Sequence, residues 1–184
     1  MSSVFPVILH YSIDINDENA MQHFAQQFSN HINKGDFIAL QGELGAGKTT
    51  FARSFIRACM QDEMLVVPSP TFSLMQLYEK EKLSLSLLHC DFYRLQDKDE
   101  LTSLGYYELS ENSITLVEWP QKIPEAIPSH AIFITLKEMP DNSSYDMPPQ
   151  ARQLHCARLI HNSEEQQHFM RLWHEYDPEI KLDI

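Results

Sequence analysis

A short apolar run, Phe37-Ile38-Ala39-Leu40, passes through Gln41 into Gly42-Glu43-Leu44-Gly45-Ala46-Gly47-Lys48-Thr49. The run suits a buried strand. Three of the chain's five glycines fall in the eight residues that follow it, so the strand hands over to a compact loop whose backbone N–H groups point inward. From Thr49 to Met60 the apolar residues Phe51, Phe55, Ile56 and Cys59 recur on one side of a helix. The loop is therefore held between a strand and a helix N-terminus, where inward N–H groups and the helix dipole together attract an anion. The run matches the pattern GxxxxGK[ST] in full. In that pattern Lys48 brings a point charge to the β- and γ-phosphates of a nucleotide, and the Thr49 hydroxyl is a ligand for Mg²⁺. A chance glycine-rich turn is the competing reading, and the strand and helix on either side argue against it. The residues expected to bind nucleotide here are Gly42, Glu43, Leu44, Gly45, Ala46, Gly47, Lys48, Thr49 and Thr50.

The 184 residues favour one domain, and 43% hydrophobic with 22% charged residues is the balance of a soluble globular chain. The net charge of −12 excludes a general binder of nucleic-acid backbone, which carries a basic stripe. If the chain serves a nucleic-acid pathway, a partner holds the nucleic acid. Cys59, Cys90 and Cys156 are far apart and show no CxxC or Cys/His spacing, so neither a disulfide framework nor a zinc site is expected. No apolar run reaches the roughly 18 residues of a membrane span. The start, Met-Ser-Ser-Val-Phe-Pro, has no signal-like character. A cytoplasmic, reduced protein with no membrane partner is expected.

Strands are expected at Val4 to Ile13, Phe37 to Leu40, Phe72 to Tyr78, Leu83 to Cys90, Ser113 to Val117, Ala131 to Leu136 and Gln153 to Ile160. The third and fourth form a hairpin across the charged turn Glu79 to Lys82. Helices are expected after an Asn16 or Asp17 cap, from Thr49 to Met60, and from Asp97 to Leu104 with Gly105 as its stop. Pro120, Pro124 and Pro128 mark an irregular connection. Pro140 to Pro149 reads as a loop, and Ser163 to Tyr176 as a terminal helix. The expected fold class is α/β: a single three-layer P-loop NTPase-like domain with a mixed parallel and antiparallel sheet. Residues 1–161 form the domain and residues 162–184 a helical tail on it.

A magnesium–triphosphate site needs acids, and open α/β sheets bind ligands at the C-terminal ends of their strands. Asp91 follows Leu87-Leu88-His89-Cys90, and Glu118 follows Ile114-Thr115-Leu116-Val117. Either can hold Mg²⁺ or orient an attacking water; a solvated acid ending a strand is the plain alternative for each. Ser69-Pro70-Thr71 reads as a switch segment or an ordinary proline turn. Trp119 reads as a partner or nucleotide contact or a core residue, and Arg94 as a cation for phosphate or partner or one half of a surface ion pair. His89 reads as a packed histidine. Phe24, Phe28, Phe51 and Phe55 read as core.

The ordered set Gly42 to Phe51, Ser69-Pro70-Thr71-Phe72, His89-Cys90-Asp91-Phe92-Tyr93-Arg94-Leu95, Leu104-Gly105 with Glu108, and Val117-Glu118-Trp119 resembles the bacterial TsaE (YjeE) family over about residues 4 to 137. Glu43 stands where the family often has Asp. The resemblance implies a small, slow ATPase required for threonylcarbamoylation of adenosine 37 in tRNAs that read codons beginning with A. It implies TsaD and TsaB as partners, with tRNA met only through their complex. It implies ATP as the nucleotide; no guanine-reading NKxD motif is present. By motif, Lys48 and Asp91 become catalytic, Thr49 and Glu118 the Mg²⁺ residues, Thr71 part of the switch, and Trp119 part of the Glu118 motif. Glu18 falls near the adenine end. Two other readings remain at this stage. One is a small-molecule or nucleotide kinase, for which no Arg-rich lid stands out; the other is a nucleotide-gated binding module that does not require hydrolysis.

Overall fold

The computed structural model describes residues 7–138 and 152–160. The loop expected from Pro140 to Pro149 and the helical tail expected over residues 162–184 lie outside the described residues.

Alternation along the strands builds the layers. In β2 (Phe37–Gln41), Phe37 and Ala39 face one side of the sheet, and Ile38 and Leu40 face the other. β4 (Leu85–Asp91) and β5 (Ile114–Glu118) divide their side chains in the same way, with Leu88, Cys90 and Val117 on the first side and Leu87, Ile114 and Leu116 on the second. Strands that bury both faces need a cover on each. α1 (Glu18–Ser29) and α2 (Lys48–Met60) cover one face. α3 (Lys98–Ser103) and α4 (Tyr106–Glu111), with 3₁₀ turns at Pro120–Lys122 and Pro124–Ala126, cover the other. The result is the expected three-layer α/β arrangement.

With β1 (Val7–Ile15), β3 (Met75–Lys80), β6 (Ile132–Glu138) and β7 (Arg152–Ile160), the sheet has seven strands in the order β1-β7-β6-β2-β5-β4-β3. β2 lies between β5 and β6 and runs parallel to both, and β4 runs parallel to β5. β1, β7 and β3 pair antiparallel at the margins. Register sets Leu40 opposite Glu118, and Glu118 opposite Asp91. Three strand ends thus meet at one edge.

Local chemistry explains the helix starts. Asp17, not Asn16, caps α1, its Oδ1 accepting from the Ala20 N–H at 2.8 Å. Asp97 caps α3 by accepting from the N–H groups of Asp99 and Glu100. Gly105, at φ +73°, ends α3 as expected and also opens α4, a helix the sequence reading does not contain.

The hairpin forms, but its strands start later than expected. Residues 70–74 wrap into a turn closed by the Leu74 N–H on the Pro70 carbonyl at 2.6 Å, with Leu74 at φ +65°. Pairing therefore begins at Met75, and Phe72 stays exposed. At the far end, Lys80 still pairs with Leu85, and the connection is a 3₁₀ turn over Glu81–Leu83.

Four phenylalanines join the α1/α2 layer, all fully buried. Phe51 and Phe55 stack at 5.9 Å between ring centroids, and Phe28 meets both, Phe51 edge-on. Offset and edge contacts of this kind add to the area term. Phe51→Ala is expected to destabilise the fold by about 3–5 kcal/mol, measured by urea denaturation followed by circular dichroism.

Candidate functional site

α2 begins at the residue after the loop, and the positive φ angles of Gly42, Gly45 and Gly47 fold residues 42–47 back over its N-terminus. Gly42 is the tightest point. A Cβ there would lie 2.5 Å from the Leu136 carbonyl oxygen and 3.1 Å from the Ala46 Cβ. β6 therefore presses directly on the loop, and only glycine fits.

Lys48 is 5% exposed. Its ammonium donates to the Gly42 carbonyl at 2.9 Å and the Glu43 carbonyl at 2.8 Å. Burial lowers its pKa from the ordinary 10.5; Glu118, Asp91 and Glu43 oppose that shift without cancelling it. The Trp119 ring lies 4.0 Å from the ammonium nitrogen, a cation–π contact. Trp119 takes up this position from a left-handed backbone conformation at φ +58°, its N–H donating to the Leu40 carbonyl. Tyr93 packs on the same indole at 5.0 Å between centroids.

The Thr49 hydroxyl donates to both oxygens of Glu118, at 3.0 and 2.9 Å. Asp91 is also occupied. Its Oδ2 accepts from the Thr71 hydroxyl at 2.5 Å, and its Oδ1 from the Tyr93 N–H at 2.8 Å. Ser69 and Thr71 share a hydroxyl–hydroxyl bond at 2.8 Å. Glu118 and Asp91 are buried. Gly45, Gly47, Lys48, Thr49, Thr50, Thr71, Asp91, Glu118 and Trp119 line one cavity of about 260 Å³, with Leu44 and Ser69 at its rim.

Glu18 lies on the other side of the loop. With Ile15, Asp17 and Met21 it lines a hollow of about 210 Å³ against Gly45, Ala46, Gly47 and Thr50. Arg94 is not in the cavity lining: it is exposed, and its guanidinium carbon lies 5.4 Å from the centre of the Phe72 ring. His89 is packed, as expected, but it also meets Glu118, its Nε2 3.0 Å from Oε1. The strand pattern carried a signal for this contact, since alternation sets His89 and Asp91 on the Leu87 side of β4, and Glu118 on the Leu116 side of β5.

The donor set suits a hard cation: one hydroxyl and two carboxylates, with no thiolate. Among the described residues no group of three His, Cys, Asp or Glu side chains converges to hold a metal alone. A cation here would take part of its shell from a bound phosphate or water, as Mg²⁺ does. No helix among the described residues is long and apolar enough to cross a membrane.

The parallel strands, the glycine loop opening α2 and the acids at the adjoining strand ends define a P-loop-type nucleotide-binding fold. The crystal structure of YdiB from Bacillus subtilis shares that fold, with a TM-score of 0.69 over 93% of this chain and 99% of that one at 22% identity. A family model described as threonylcarbamoyl adenosine biosynthesis protein TsaE matches residues 15–145. A tRNA threonylcarbamoyladenosine biosynthesis protein TsaE from Rickettsia bellii is 33% identical over 128 residues, 70% of this chain and 87% of the relative. A protein of the same name from Bacillus subtilis is 36% identical over 108 residues, 59% of this chain and 65% of the relative. The chain belongs to the TsaE family.

Gly42→Ala is expected to destabilise the fold by about 1–3 kcal/mol, through a forced displacement of β6 and a positive φ. Gly45→Ala, where an added Cβ meets nothing within 4 Å, carries backbone strain alone and is expected to cost less. Paired urea melts of the two variants measure the difference.

Proposed function

We propose that this chain is a Mg²⁺-dependent ATP-binding and ATP-hydrolysing accessory protein for threonylcarbamoylation of adenosine 37 in tRNAs, acting with TsaB and TsaD. The observation that carries the chemical half is the convergence of Lys48, Thr49, Glu118 and Asp91 on one cavity behind a glycine loop. Membership of the TsaE family carries the pathway half.

In this reading the backbone N–H groups of residues 45–49 and the Lys48 ammonium hold the phosphates. Thr49 and Glu118 hold Mg²⁺, which when bound offsets charge on the phosphate oxygens. Asp91 orients the attacking water and accepts its proton. The same carboxylate accepts from the Thr71 hydroxyl, so a water or phosphate at Asp91 bears on Thr71 and its segment. Glu18 lies toward the nucleoside end. Arg94 rests on Phe72 rather than in the cavity, so hydrolysis by the chain alone is weak and rises when a partner reorders this rim. Trp119 and Arg94 are the side chains that pass the state of the site to that partner. The chain's net charge of −12 favours contact with tRNA through TsaB and TsaD rather than directly.

One observation favours a second reading. Thr71 is latched to Asp91 next to Phe72, which is 87% exposed. Nucleotide binding that frees Thr71 would move an apolar docking residue whether or not hydrolysis follows.

Lys48→Ala is expected to weaken ATP binding about 10–100-fold by loss of a charge-assisted contact, read by isothermal titration calorimetry. Asp91→Ala is expected to keep ATP binding and to lower single-turnover hydrolysis by about 10²-fold or more. Pull-down of purified TsaB and TsaD with and without ATP tests the pathway assignment, and a complex insensitive to nucleotide would count against it. If Asp91→Ala and Glu118→Ala both bind ATP, fail to hydrolyse it and still support the modification, the gated-module reading replaces the ATPase.

A further inference from the structure

Glu118 has a second buried partner that the reading above does not use. His89 Nε2 lies 3.0 Å from Glu118 Oε1, with the two side chains 0% and 3% exposed. A carboxylate oxygen only accepts, so the bond places the ring hydrogen on Nε2. The other ring nitrogen, Nδ1, is buried with no hydrogen-bond partner among the described residues. The imidazole's polar contact is therefore spent on Glu118. Packing alone does not account for this. Leu87, on the same strand and face, fills its place with no polar atom to satisfy, whereas His89 leaves one nitrogen bare.

Glu118 ends its strand, and its carboxylate accepts from Thr49 through both oxygens. Thr49 reaches it from α2, and His89 from the neighbouring strand. Held from two elements, the carboxylate has one rotation open to it. We propose that His89 is a positioning residue for the magnesium end of the site, orienting Glu118 so that Thr49 and a bound cation meet a preset carboxylate. The proposal rests on the Mg²⁺–nucleotide reading of this cavity. Histidine–carboxylate pairs that orient a metal ligand from behind are a general device.

The test measures ADP affinity by calorimetry across a Mg²⁺ titration in the wild type, His89→Leu and His89→Gln, with thermal melts alongside. Gln carries an N–H that reaches the Nε2 position; Leu fills the space and donates nothing. His89→Leu is expected to need about 10–100-fold more Mg²⁺ for the same gain in ADP affinity, with metal-free ADP affinity unchanged, and His89→Gln is expected to recover most of the loss. In a Glu118→Ala background His89→Leu should have no further effect on the Mg²⁺ response. A folded His89→Leu protein with the wild-type Mg²⁺ response overturns the His89 proposal alone. A wild type whose ADP affinity ignores Mg²⁺ overturns the underlying reading and this proposal with it, a result seen before any variant is made. Should both variants melt below the assay temperature, ¹⁵N-histidine NMR of the wild type decides. A slowly exchanging Nε2–H for His89 supports the proposal, and a ring carrying its hydrogen on Nδ1 overturns it.

Discussion

Parallel pairing of β4, β5 and β2 fixes where the reactive groups of this domain lie. Parallel strands end at the same edge, so the loop after Leu40 and the acids Glu118 and Asp91 emerge together, with Leu40 opposite Glu118 and Glu118 opposite Asp91. The pleat does the rest. His89 and Asp91 share a face with Leu87, and Glu118 shares one with Leu116. That is the face α2 covers, so Thr49 at its start meets Glu118. A slip of one residue in β5 would turn Glu118 to the opposite face and leave Thr49 without that partner, and a slip in β4 would turn His89 and Asp91 away in the same manner. Register is protected by burial on both sides: Leu88, Cys90 and Val117 are committed to the α3/α4 layer as firmly as Leu87 and Leu116 are to α1 and α2.

The polar groups gathered by that register are satisfied largely within the site, His89 Nδ1 excepted. Lys48 donates to two loop carbonyls, Thr49 to Glu118, and Thr71 to Asp91, while Trp119 covers the lysine. An unpaired buried polar group costs about 1–3 kcal/mol, so this internal pairing stabilises the domain before any ligand arrives. In the proposed function, ligand binding is then an exchange. Contacts made to Lys48, Thr49 or Asp91 compete with internal bonds, and the net gain is smaller than the count of contacts suggests. The exchange also gives the ligand something to move. Trp119 holds a left-handed conformation that disfavours a non-glycine residue by about 1–2 kcal/mol, and the Thr71 segment is tied to Asp91 through a short bond. Both are local arrangements whose stability depends on what fills the cavity.

Much of this was legible in the sequence because the signals were local. An apolar run, a glycine loop and a 3.6-residue repeat sit in one stretch of chain from Phe37 to Met60, and each constrains the next. Asp91 and Glu118 were legible as polar residues closing apolar strands. The errors lie where structure depends on contacts distant in sequence or on a residue with two uses. Gly105 announced the end of α3, but the same left-handed geometry also starts α4, and nothing in Tyr106 to Glu111 has a strong helical repeat. Phe72 looks like strand by composition, yet Pro70 and the backbone turn at Leu74 delay pairing to Met75. The apolar neighbours of His89 in the chain point only to a packed histidine. Its partner Glu118 is 29 residues away on another strand, and only the parity of two strands taken together points to the contact. The geometry of Trp119 over Lys48 had no local signal, because it depends on a left-handed backbone at Trp119 and on a lysine held by a loop distant in sequence.

Charge and burial together bear on how an acidic chain can serve a tRNA pathway. A net charge of −12 repels a polyanion on balance. The α2 N-terminus and Lys48 attract phosphate, but the lysine is 5% exposed and lies beneath Trp119. A duplex backbone presents its phosphates along a broad ridge and cannot reach a recessed ammonium. A triphosphate presents them at a narrow end and can. In the proposed function, the recess that takes the nucleotide phosphates is thus a poor fit for a nucleic-acid backbone. Leu44 lines the cavity and Phe72 follows Thr71 in the chain, the two side chains 82% and 87% exposed, and both are apolar. Such a domain, in the proposed function, binds a small anion in its recess and keeps exposed apolar side chains, Leu44 and Phe72, open to a protein partner.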